Sequence, residues 1–152
     1  MNWLKVWWPA LGWAALIACF STDAFSSEHT SRAILPVLHW LFPAARHGTL
    51  ELMHHYIRKA GHVTEYFVLG LLLLHAIRGA RSGWRAEWGI TAVAIAAVWA
   101  VLDELHQALV PSRGPSMRDV LIDICGAALA QIVSAAIARA RESHPPPAAK
   151  PA

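Results

Sequence analysis

Lys59, His62, Glu65 and Tyr66 fall within eight residues of a mostly apolar chain. On a helix, Lys59, His62 and Tyr66 share one face by steps of three and four, and Arg58, His62 and Glu65 share an overlapping one. A histidine three residues from a carboxylate can act as an acid/base pair or supply two metal ligands. A second polar group follows at Asp103, Glu104, His106 and Gln107, and a third at Arg113, Arg118, Asp119 and Asp123. Guanidinium and ammonium groups form charge-assisted bonds to phosphate, and neighbouring acids can orient them. The same residues can also form a hydrogen-bond and ion-pair network that ties helices together, because helices in a bilayer gain little hydrophobic drive from one another. There is no HExxH pattern and no Cys/His spacing of a structural zinc site, so neither a metal nor any other cofactor is expected. His54 and His55 read as fillers of an amphipathic helix.

Each polar group sits at the mouth of an apolar run. A bilayer core takes about 20 mostly apolar helical residues, and four segments approach this: about Trp3 to Phe20, His62 to Ile77, Trp88 to Leu105 and Val120 to Ala138. The pattern predicts an all-α polytopic membrane protein, a four-helix transmembrane bundle over residues 1–138. The long first loop should hold two short interfacial helices, Ile34 to Phe42 and Leu50 to Ile57, separated by Pro43 and Gly48. Residues 139–152, with Pro145, Pro146 and Pro147, read as a disordered cytoplasmic tail. Four crossings place the start of the second span, the end of the third and the start of the fourth on one side, so the three polar groups converge there. Arg78, Arg81 and Arg85 crowd the short middle loop on the opposite side. Dense arginines mark the cytoplasmic face, which puts both termini in the cytoplasm, the polar groups outside, and the protein in the cytoplasmic (inner) membrane.

Composition narrows the alternatives. Of 152 residues, 56% are hydrophobic and 15% charged, against roughly 25% charged in a soluble domain. Eight tryptophans suit a protein bordered by two membrane interfaces. A net charge of +3, spread among termini and loops, lacks the basic stripe of a nucleic-acid binder. Cys19 and Cys125 lie inside apolar runs, and Cys125 is expected to be a small buried hydrophobe. Leu16-Ile17-Ala18-Cys19 is similar to a lipoprotein cleavage box, but the bulky Trp7, Trp8 and Trp13 favour a retained span.

The three polar groups resemble, in order and spacing, the motifs of the VanZ-like family. Lys59-Ala60-Gly61-His62-Val63-Thr64-Glu65-Tyr66 is similar to its K-x-x-H-x-x-E-Y, Asp103-Glu104-Leu105-His106-Gln107 to its D-E-x-x-Q, and Pro111 with Arg113 to its P-x-R. Asp119-Val120-Leu121-Ile122-Asp123 with Gly126 looks like D-V-L-x-[ND]-x-x-G, and Ser26 and Ser27 are similar to a serine-rich stretch after the first span. The resemblance covers roughly residues 15 to 135. Many members carry Asn where this chain has Asp123. It implies a small polytopic protein in a cell-envelope setting, since the founding member is associated with resistance to teicoplanin, a glycopeptide that binds cell-wall precursors outside the membrane. It implies no particular reaction.

Two functions from different classes follow. In one, the outward polar cluster binds an envelope lipid or lipid-linked cell-wall precursor through Arg58, Lys59, Tyr66, Asp103, Gln107, Arg113, Asp119 and Asp123. In the other, His62, Glu65 and Glu104 catalyse hydrolysis or transfer on such a lipid. A proton-coupled transport role ranks third, because four short spans would need a homo-oligomer to form a path.

Overall fold

Every apolar run folds as helix. The computed structural model describes residues 3–109 and 116–143, and its helices are α1 (Trp3–Phe20), α2 (Ser27–Leu41), α3 (His47–Arg78), α4 (Ala86–Ala108) and α5 (Met117–Ser143), with one 3₁₀ turn at Asp23–Phe25. Three of these, α3, α4 and α5, are long and apolar enough to cross a membrane, and a fourth crossing is reached if α1 and α2, bent by 74° at their junction, count as one span. The chain is an all-α polytopic bundle.

The helices begin and end where local chemistry allows. Ser26, fully buried, caps α2 by accepting the His29 N–H, and Thr30 Oγ1 donates back to the Ser26 carbonyl at 2.8 Å. Gly79 ends α3 at a φ of 59°, a backbone region that a side chain would strain. Ser116 opens α5, its hydroxyl accepting the Asp119 N–H at 3.3 Å.

α3 and α5 run parallel, in step, and small residues let them approach. Ala92, Ala96 and Ala100 on α4 and Ala127 and Ala130 on α5 have no exposed surface. A Cβ on Gly126 would lie 2.6 Å from the Val63 carbonyl, and one on Gly70 would lie 3.1 Å from the Ala127 backbone. Close backbone approach through small residues is the usual driving geometry for helices in lipid. Gly126→Ala must therefore push α3 away from α5. It is expected to cost about 2 kcal/mol, in the range of overpacked cores, seen as a lower unfolding midpoint in detergent; an unchanged midpoint would mean that the seam is loose. α1 runs antiparallel to α3, with Ser21 near Gly61 to Glu65 and Ala10 near Leu69 and Leu73, and Trp13 Nε1 donates to the Glu65 carbonyl at 2.9 Å.

Four expectations change. The segment Leu50 to Ile57 is no separate interfacial helix: Gly48 is absorbed and α3 runs unbroken for 32 residues, about 48 Å, longer than a hydrocarbon core of about 30 Å. The other short helix starts at Ser27 instead of Ile34, because Ser26 supplies its cap, and Pro36 lies within it. Cys125 is exposed, not buried; it shares the outward stripe of α5 with Leu121 and Leu129, four residues to either side. Helix α5 also continues through Arg139 to Ser143, the first part of the expected tail; residues 144–152 lie outside the described residues.

Candidate functional site

The parallel seam of α3 and α5 matches their polar residues turn by turn. Lys59 Nζ pairs with Asp119 Oδ1 at the outer level. One turn deeper, His62 Nδ1 lies 3.1 Å from Oδ1 of Asp123, which has no exposed surface. One more turn in, Tyr66 is fully buried, and its hydroxyl has no hydrogen-bond partner among the described residues. It lies within electrostatic reach of Asp123, Asp103, Glu65 and Glu104.

The end of α4 contributes two separate contacts. Ser21, at the top of α1, donates to Asp103 at 2.6 Å, and Gln107 Nε2 donates to the same carboxylate at 3.1 Å. This buried trio closes α1 onto α4. Glu104 turns the other way and accepts the Ser116 backbone N–H at 2.6 Å, so it caps the start of α5, leaving Oε1 buried without a partner among the described residues.

The opening to this region lies beside α2, which packs on the first turns of α3. Leu38 and Leu50 are buried there, and Thr30 Oγ1 and His54 Nε2 lie 3.2 Å apart. Two clefts flank Arg58 and His62. One, of about 510 Å³, is polar and includes Glu28, Glu51, Lys59 and Asp119. The other, of about 300 Å³, carries Phe25, Ile34 and Ile57 together with Glu65. Arg58 borders both and has no ion-pair partner among the described residues, while Asp119, within electrostatic reach, is held by Lys59.

The structure thus brings Arg58, Lys59, His62, Glu65 and Asp119 to open space. Tyr66, Asp103, Gln107 and Asp123, expected to touch a ligand, are instead buried, because each faces a neighbouring helix. Glu104 is buried as well. Arg113 lies outside the described residues, and Arg118 is exposed. Among the described residues no group of three His, Cys, Asp or Glu is placed to hold a metal ion. Sequence reasoning gave Ser21 and Ser116 no place in the site and read His54 as a filler. Ser21 carried a readable signal, a hydroxyl directly after an apolar span, whereas Ser116 meets Glu104 through its main chain, which no side-chain pattern reveals. No curated protein and no solved structure matches the chain. The model of the VanZ/LLP1 family matches residues 6–138.

Proposed function

The chain belongs to the VanZ/LLP1 family, and we propose that it binds the anionic head group of an envelope lipid or lipid-linked cell-wall precursor in the paired clefts around Arg58. The observation that carries this reading is Arg58 itself: a cation with no ion-pair partner among the described residues, standing between a polar cleft and an apolar one. An amphiphile suits that layout. Its phosphate would bond to the guanidinium, and its chain would lie along Phe25, Ile34 and Ile57. Lys59, already neutralised by Asp119, supports the site without adding net charge.

The arginine-rich loop at the far end of the bundle supports an outward address for the clefts, with both termini in the cytoplasm and the protein in the cytoplasmic membrane. A precursor held there would be shielded from a glycopeptide such as teicoplanin, which fits the resistance associated with the founding VanZ. Two measurements test this. Mass analysis of the purified protein should find co-purified anionic lipid. With Cys19 and Cys125 replaced, a cysteine at Glu28 should react with an impermeant maleimide on intact cells. Labelling only after permeabilisation would remove the outward address, and a protein free of anionic lipid would remove the function.

One observation favours a second reading, an envelope-lipid hydrolase or transferase. His62 borders both clefts while Asp123 holds its Nδ1, so Nε2 is left to take a proton from an attacking water or alcohol, as in a carboxylate-oriented histidine base. Glu65 would be its companion acid in the apolar cleft; Glu104 is engaged at Ser116. Turnover of a lipid-linked phosphoester that disappears in His62→Ala would establish this reading, and no turnover by the wild-type protein would exclude it.

A further inference from the structure

The opposite end of the bundle holds a second cavity, of about 440 Å³, between the last turns of α3 and α5. Arg78 and Arg141 border it, with Ser82, Trp84 and Ser134 between them and Glu142 at its edge. The arginines of this end are not equivalent. Arg81 donates to the carbonyls of Ile77 and Arg78 and stacks with its guanidinium 4.5 Å from the Trp88 ring, and Arg85 pairs with Glu87 at 3.0 Å. Those side chains are already committed. Arg78 makes one long contact, 3.5 Å to the Gly83 carbonyl, and its Nε is buried without a partner among the described residues. The Trp84 indole N–H is buried and unpartnered in the same way. No ion pair of Arg141 is found among the described residues.

Buried donors with nothing to donate to are costly unless something supplies an acceptor. Arg78, Trp84 and Arg141 all border one cavity, and its two guanidinium groups match a phosphate. Trp84 also borders an apolar groove of about 390 Å³ between α4 and α5, lined by Gly89, Ile90, Val93, Ala94, Ala97 and Ala128. A head group in the cavity would thus have its acyl chain in the adjoining groove, with the tryptophan at the divide.

We infer that the cavity bordered by Arg78, Trp84 and Arg141 is a binding site for an anionic phospholipid, at the end of the bundle opposite Arg58. It is independent of the reading proposed for the outer clefts. Basic pockets between transmembrane helices bind such head groups, each arginine contributing modestly.

The test uses the full chain carrying Arg58→Ala, which silences the other end, and counts bound phosphatidylglycerol by native mass spectrometry. Arg78→Ala with Arg141→Ala should weaken phosphatidylglycerol binding about tenfold. Arg141→Ala alone, at an exposed position that packing does not depend on, should give an intermediate loss, which guards against misfolding as the cause. Arg139→Ala, on the same helix but outside the cavity, should change little. Phosphatidylcholine should bind more weakly than phosphatidylglycerol, and free inorganic phosphate at millimolar concentration should not displace the lipid. Equal affinity for the two lipids, no loss in the Arg141→Ala protein, or displacement by free phosphate would each overturn the inference.

Discussion

Arg58→Ala is expected to lower affinity for an anionic lipid ligand of the clefts around it roughly thirty-fold, the loss of a charge-assisted contact worth about 2 kcal/mol. The size follows from the company Arg58 keeps. Lys59 is paired with Asp119 and His62 with Asp123, so removing Arg58 takes away the cation of the cleft that has no ion-pair partner among the described residues. Arg58→Lys keeps the charge but loses the planar fork, and should recover part of the affinity. Lys59→Ala should weaken binding too, by a different route: it frees the Asp119 carboxylate to repel an anion, so Lys59→Ala with Asp119→Ala should bind better than Lys59→Ala alone. Binding titrations in detergent at two salt concentrations would check all of these, since the contribution of exposed charges falls as ionic strength rises. Arg58→Ala binding within twofold of wild type would remove the role given to it.

The second large effect concerns stability. Asp123→Ala is expected to cost about 2 kcal/mol, because it leaves the His62 ring facing a helix seam with no acceptor. Asp123 has no exposed surface and its Oδ2 is already without a partner among the described residues, so water cannot readily replace the lost bond. Asp123→Asn keeps a polar partner at the same place, and should lose less than half as much. That expectation fits the Asn found at this position in many VanZ-like sequences. In a double-mutant cycle, His62→Ala should cancel most of the Asp123→Ala penalty. Unfolding midpoints of the wild type, the three single variants and the double variant provide the check. Equal losses from Asn and Ala, with additive behaviour toward His62→Ala, would mean that the contact at 3.1 Å contributes nothing.

The convergence of polar residues was legible because it followed from two simple inputs. Apolar runs give spans, and alternating crossings assign their ends to sides. The pairing of Lys59 with Asp119 and of His62 with Asp123 was half legible: the helical spacing showed which residues share a face, but not that α3 and α5 run side by side in the same direction, which the close fit at Gly126 and Gly70 decides. Burial was the less readable property. Tyr66, Asp103 and Gln107 look like ligand-facing residues by type, yet tertiary packing turns them inward, where Ser21 and Trp13 of α1 complete the polar layer. The continuous α3 was hidden for a related reason. Gly48 and the polar residues around it weaken a helix only modestly, and packing of Leu50 and His54 against α2 outweighs that.

Photocrosslinking with an anionic lipid carrying a diazirine on its acyl chain tests the central claim most directly, because it reports where the chain lies while the head group is bound. The account predicts adducts on Phe25, Ile34 and Ile57, lost when Arg58 is replaced by alanine. Adducts confined to the outward stripe at Leu121, Cys125 and Leu129, unchanged by that replacement, would show that the lipid merely surrounds the bundle and would contradict a site between α2 and α3.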